Sequence, residues 1–183
     1  LVPNRYQPRQ YFDEDELAAL TQSVRENGIL MPILVRRDGD SNDSFEIVAG
    51  ERRWRAAQAA QLYEVPIIVK ELDDNQALEV ALIENVQRQD LTALEEAEGY
   101  RRLMDEFANT QEALATAVGK SRSHVANIMR LLGLPEAVKT LLQAGSLSAG
   151  HGRALLAAED PEALANIVVR KGLNVRQTEA LVQ

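Results

Sequence analysis

Arginine is an unusual choice for the start of a helix, yet the segment GERRWRA at Gly50 to Ala56 supplies three in the first turn and a half. Arg52, Arg53 and Arg55 follow a run of strand character and open a helical pattern whose inward stripe would be Trp54, Ala57 and Gln61. The helix macrodipole places partial positive charge at that end, so each cation there costs roughly 0.3 to 1 kcal/mol unless something offsets it. A phosphate would do so, because free backbone N–H groups at a helix start and guanidinium forks both suit its oxygens. The competing reading is a solvated basic face neutralised by local acids such as Glu51.

A second segment, ENVQRQDL at Glu84 to Leu91, ends a helical pattern that begins near Asp73. Its apolar stripe runs through Leu78, Ala81 and Leu82, and the same face then brings in Asn85, an amide that burial would oblige to find hydrogen-bond partners. Glu84 and Asn85 together offer a carboxylate and a carbonyl oxygen, hard ligands suited to a Mg2+ that also takes phosphate oxygens and water. Alternatively, Glu84 pairs with Arg88 one turn on and Asn85 caps or packs locally.

The third segment, Thr110 to Gly133, has helix-turn-helix spacing. Thr110 caps a first helix with Leu114 and Val118 inward, Gly119 permits the turn, and Ser121 caps a second helix with the stripe Val125, Ile128, Met129 and Leu132. Arg122, Ser123, His124 and Asn127 would then face outward from the N-terminal end, the part of a recognition helix that meets base edges. Arg122 suits guanine O6 and N7, and Asn127 suits adenine or a phosphate. His124 reads as a polar or phosphate contact, or as a packed residue, rather than as a metal ligand. The plainer alternative is a structural αα-hairpin.

Two kinds of scaffold must position these groups. Before residue 72, strand candidates at Met31 to Arg36, Phe45 to Val48 and Val65 to Val69 alternate with helices at Asp13 to Asn27 and Glu51 to about Gln61. The polar run Asp38 to Ser44 reads as a hairpin loop. Beyond residue 72 every periodic segment is helical, with breaks at Gly, Pro and Asn/Asp clusters. The expected division is an α/β domain over 1–90 and an all-helical domain over 91–183. Charge follows a different division: residues 1–109 carry 12 Lys+Arg against 22 Asp+Glu, whereas 110–153 carry 5 against 2, inside a chain of net charge -8. A basic middle in an acidic chain suggests a local surface for a polyanion. The 183 residues include no Cys and 2 His, which excludes a thiol nucleophile, a Cys-ligated metal and a disulfide framework. No run is long and apolar enough for a membrane helix and the start lacks the form of a signal peptide, so the expectation is a cytoplasmic protein with no membrane partner.

In order along the chain, NRYQPR at Asn4 to Arg9, GERRWRA at Gly50, ENVQRQDL at Glu84, GKSRSHVANIMRLLGLP at Gly119 to Pro135 and SAGHGRALL at Ser148 to Leu156 resemble the ParB family of chromosome-partitioning proteins. The resemblance covers essentially the whole chain. It implies an α+β protein, with an N-terminal α/β domain of ParB/sulfiredoxin-like fold followed by an all-α helix-turn-helix domain. The implied activity is a CTP-dependent clamp that loads at the centromere-like site parS, slides or spreads on flanking DNA, and slowly hydrolyses CTP. Carried over by position, the likeness gives Gly50, Glu51, Arg52, Arg53 and, less directly, Gln7, Arg9, Ser23 and Arg88 to the nucleotide, with Ser23 on the cytosine side. Glu84 and Asn85 go to Mg2+, with Asn85 also beside the nucleotide and Glu84 serving hydrolysis. Lys120, Ser121, Arg122, Ser123, His124, Asn127, Arg130 and Arg153 go to DNA, Arg122 as the specific contact. Met31 stands where relatives often have Gln. Implied partners are parS and flanking DNA, a second copy through CTP-bound N-terminal domains, and a ParA-type ATPase through an N-terminal segment. That segment and the family's Lys-rich C-terminal dimerisation domain lie outside this sequence, which reads as a truncated chain of a nucleoid-associated protein.

Three other readings compete. A nucleoid-occlusion relative shares the architecture, but Arg122 and Gly150 favour the partitioning type. An ordinary helix-turn-helix regulator would leave the α/β domain structural. Sulfiredoxin chemistry needs a cysteine where this chain has Glu51, and a small-molecule kinase would leave the DNA-binding half unexplained.

Overall fold

The computed structural model describes residues 1–4, 14–38, 43–88, 90–107 and 110–183. The chain forms two compact units, Leu1–Glu84 and Asn85–Gln183. The division falls inside a helix, earlier than the loop at residue 90 where the sequence suggests a break.

The first unit is built on a three-stranded sheet. Strand β1 (Ile33–Arg37) lies centrally, antiparallel to β2 (Phe45–Ala49) and parallel to β3 (Ile67–Val69). The alternation of Ile33 and Val35 on β1 sends both inward, where with Ile47 they pack against Trp54, Val65 and Ile67. Helix α1 (Glu14–Asn27) starts with Glu14, Asp15 and Glu16, which suit the positive end of its dipole. It packs through Val24 on Ala56 and Ala57 of α2 (Glu51–Ala59), and small residues there let the helices approach closely. Helix α3 (Asp74–Val86) is started by Asp73 and Gln76, each side chain accepting from the other's backbone N–H.

Several expected boundaries shift for visible reasons. Strand β1 begins at Ile33 rather than Met31, because the carbonyls of Met31 and Pro32 are taken by Arg53. Pro66 has no N–H to give a ladder, and β3 starts after it. Helix α2 stops at Ala59; Gln61, expected on its buried stripe, is exposed and left-handed at φ 59°, and Ala56 takes the inward position. Val2 adds a parallel bridge to Glu46 on β2, a pairing too short to show in the sequence.

The second unit is helical: α4 (Ala93–Phe107), α5 (Gln111–Val118), α6 (Arg122–Arg130), a 3-10 turn at Leu131–Gly133, α7 (Glu136–Gln143), α8 (Ala149–Leu155), α9 (Pro161–Lys171) and α10 (Val175–Val182). Its core joins Leu94, Ala97, Tyr100 and Leu103 of α4 to Leu114 and Val118 of α5 and Val125 and Ile128 of α6. Burying each Leu, Ile or Val side chain contributes roughly 1.5 to 3 kcal/mol. Leu131 is fully buried and Leu132 only partly, the reverse of a continued α6 stripe, because the chain tightens into the 3-10 turn at that point.

Candidate functional site

The start of α2 is open. Its N-cap, Gly50, sits at φ 101° and ψ 23°, and no side chain caps the helix. The left-handed turn calls for glycine, and a Cβ at Gly50 would lie 2.9 Å from the Arg53 Nη2, so a larger residue would also push aside the guanidinium laid across the turn. Arg53 Nη1 donates to the carbonyls of Met31 and Pro32 at 2.7 and 2.8 Å. The other two arginines have carboxylates: Arg52 pairs with Glu16 at 3.0 Å, and Arg55 with Glu51 at 2.6 Å. Local acids therefore account for Arg52 and Arg55. Arg53 meets only carbonyl dipoles among the described residues, and its charge is the one left for an anion.

Glu51 is buried, and its Oε2 has no hydrogen-bond partner among the described residues, while Oε1 takes both bonds from Arg55. A buried carboxylate oxygen without a donor is costly, and a water or ligand hydroxyl there would relieve it. Ser23 is exposed on α1. Gln7 and Arg9 lie outside the described residues.

On α3, Glu84 is exposed and Asn85 half-buried. The inward residues are Ala77, Ala81, Leu82 and Val86, with Leu78 only partly covered. The alternative in which Arg88 pairs back to Glu84 is not what forms: Arg88 lies past the end of α3 and pairs with Asp90, through Nε at 3.0 Å and through Nη2.

The helix-turn-helix forms as its spacing predicts. Thr110 accepts from the Ala113 N–H at 3.1 Å and Ser121 from the His124 N–H at 3.0 Å, with Gly119 left-handed at φ 71° between the two helices. Lys120, Ser121, Arg122 and Ser123 are exposed at the start of α6, Arg130 is exposed at its end, and Arg153 is exposed on α8. Asn127 is half-buried. His124 does not simply face outward: its Nε2 lies 2.8 Å from Glu96 Oε1 on α4. The Tyr100 hydroxyl donates to the same oxygen, and the Tyr100 and His124 rings meet edge to face with centroids 6.5 Å apart. Burial, with the Glu96 carboxylate accepting its proton, pushes the Tyr100 phenol above its ordinary range. Glu96 and Tyr100 are contacts that sequence reasoning misses. Their i, i+4 spacing on α4 is visible, but nothing local ties them to a histidine far along the chain.

Two family models match and together take in nearly all of the chain: the ParB N-terminal domain over residues 1–86 and the ParB HTH domain over 89–183. A chromosome-partitioning protein ParB of Caulobacter vibrioides is 57% identical over 183 residues, all of this chain and 60% of the relative. The crystal structure of a C-terminally truncated ParB from Caulobacter crescentus complexed to the centromeric parS site is 55% identical, covers 99% of this chain and 94% of that one, and superposes with a TM-score of 0.90. Another crystal structure from that organism, complexed with CTP-gamma-S, is 56% identical and covers 92% and 93% of the two chains, with a TM-score of 0.47. The chain spans about 60% of the length of the Caulobacter vibrioides relative. Matched by both domain models over nearly all of its residues, the chain belongs to the ParB family, of which it holds the N-terminal and helix-turn-helix domains.

Proposed function

We propose that this chain is a CTP-switched DNA-binding clamp that loads at parS and spreads on flanking DNA. The observation that carries the nucleotide half is the start of α2, where an uncapped helix N-terminus, a left-handed Gly50 and the carbonyl-held guanidinium of Arg53 come together. Backbone N–H groups and Arg53 take the triphosphate, with Arg52 and Glu51 beside it. The choice of cytidine rests on the family's motifs, with Ser23 on the cytosine side and Gln7, Arg9 and Arg88 near the nucleotide. Glu84 and Asn85, an exposed carboxylate and a half-buried amide, fit Mg2+ by their chemistry as hard oxygen donors. Bound there, the metal supplies charge neutralisation to the phosphates. Glu84 is assigned to the slow cleavage of CTP to CDP and phosphate.

The DNA half rests on α6. Arg122 reads a guanine of parS, while Lys120, Ser121, Ser123, Arg130 and Arg153 meet phosphates, and Asn127 sits at the margin. CTP favours self-association of two N-terminal domains, which turns a site-specific binder into a clamp. The further partners are a ParA-type ATPase and a second copy. Among the described residues no helix is long and apolar enough to cross a membrane, and a cytoplasmic, nucleoid-associated role fits this reading.

The nucleotide assignment is tested by calorimetric titration of CTP, ATP, GTP and UTP, each with Mg2+. CTP alone should bind tightly, and Arg53→Ala should remove that binding while leaving the circular dichroism spectrum unchanged. Equal affinity for all four nucleotides, or for CTP in wild type and Arg53→Ala, would overturn it.

A further inference from the structure

We infer that Glu96 is a positioning residue for DNA recognition: it touches no DNA, but it fixes the first turn of α6 and so the aim of Arg122. The inference rests on the reading of α6 as the recognition helix.

Three contacts hold that turn. Ser121 caps the His124 N–H, Val125 is fully buried beneath it, and the His124 ring reaches back to Glu96. The cap and the buried valine act on the backbone and the inward face. Among the described residues, the His124 side chain ties the flank of the turn, next to the exposed Arg122 and Ser123, to another helix. Glu96 is itself fixed, because Tyr100, 1% exposed and wedged in the core, donates its hydroxyl to the same carboxylate oxygen. The path runs from an immobile phenol through one carboxylate oxygen to an imidazole on the third residue of α6. A carboxylate is otherwise an unfavourable neighbour for a polyanion, and the Glu96 side chain is only 19% exposed, turned inward to the protein rather than out to solvent.

The consequence is selective. A bidentate arginine–guanine contact demands orientation, whereas contacts to the repeating phosphate backbone carry no sequence information and can be re-formed after a small displacement. Loosening the first turn of α6 should therefore erode discrimination between DNA sequences and leave general DNA affinity alone. A purely structural role would lower both together with the melting temperature.

The test compares a parS duplex with a scrambled duplex of equal length by fluorescence anisotropy, using the full chain. Glu96→Ala should weaken parS binding roughly tenfold, the loss of one charge-assisted hydrogen bond, and leave the scrambled duplex within about twofold. Glu96→Gln should restore most of the difference, since its amide oxygen still accepts from both Tyr100 and His124. Unchanged parS binding in Glu96→Ala, equal loss on both duplexes, or no rescue by Glu96→Gln would each overturn the inference. If Glu96→Ala does not fold, His124→Ala cuts the same tether from the other side while leaving the Tyr100–Glu96 hydrogen bond in place and should show the same selective loss; equal loss on both duplexes there would instead mark His124 as a phosphate contact and overturn the inference. Amide hydrogen exchange in the absence of DNA separates this inference from the reading beneath it. Ser123 to Val125 should exchange faster in the variant while α9 is unchanged. No change there defeats the positioning role, whereas a wild type that cannot tell parS from the scramble defeats the reading of α6 itself.

Discussion

Helices α2 and α6 both carry arginine in their first turn, and they begin in opposite ways. Helix α2 has a glycine at its N-cap, no side-chain cap, and an arginine folded back across the opening onto main-chain carbonyls. Helix α6 has a serine cap that closes its first turn, a histidine tethered sideways, and an arginine left exposed. The difference assigns the working part of each end. An uncapped helix offers its backbone N–H groups, which suit a small, highly charged anion that can come within hydrogen-bond distance of the main chain. A capped helix has one of those N–H groups already taken by its own cap, and α6 offers exposed side chains beside it, which suit a base edge at the bottom of a groove. One sequence signal, arginine after a cap, thus stands for two chemistries, and the residue at the cap position tells them apart.

Substitution should break this contrast in graded steps. The largest effect is expected at α2, where Arg53→Ala removes the guanidinium that meets only carbonyls among the described residues and should abolish measurable CTP binding by calorimetry, with DNA affinity unchanged in the absence of nucleotide. Next comes Arg122→Ala, which should cost roughly 1 to 3 kcal/mol on parS and far less on unrelated DNA. Equal loss on both, with the salt dependence reduced by about one contact, would make Arg122 a phosphate ligand instead. Removing the cap should move the melting temperature more modestly: Ser121→Ala is expected to cost about 1 kcal/mol of stability. The smallest effect is electrostatic. In the unfolded chain the Tyr100 phenol ionises near its ordinary value of about 10, whereas in the folded chain burial and Glu96 keep it protonated above that pH. The folded state then holds the proton that the unfolded state loses, so the stabilisation is complete below about pH 10 and drains away as pH rises further. Ultraviolet titration should show one tyrosine silent until the alkaline unfolding transition, and Tyr100→Phe should flatten that part of the stability curve.

Much of the architecture is legible in the sequence because it is written in local signals. The helix-turn-helix is the clearest case, with Thr110, Gly119 and Ser121 each forming the cap or turn that their types and spacing predict. The arginine cluster was legible as an anomaly but not as an arrangement: that Arg52 and Arg55 find carboxylates while Arg53 finds carbonyls depends on Glu16 and on the Met31–Pro32 backbone, which tertiary packing brings near. Arg88 turning forward to Asp90 rather than back to Glu84 is a local choice between two acids that spacing alone could not decide. Likewise Leu131 displaces Leu132 from the core only because the helix tightens at its end. The Glu96–His124 pair is the least legible feature, since it joins elements that nothing in the local pattern relates.

The proposed clamp requires nucleotide and DNA to act on one switch rather than on two independent domains. Because the chain has no cysteine, single cysteines placed along α4 would be unique reporters. Crosslinking between copies by a short bismaleimide, followed over time with CTP, with a parS duplex, and with both, tests that claim directly. Crosslinking should be fastest with CTP and parS together, slower with either alone, and should lose its response to CTP in Arg53→Ala. A rate indifferent to CTP in the wild-type background would contradict the switch and leave nucleotide binding and DNA binding as separate properties of one chain.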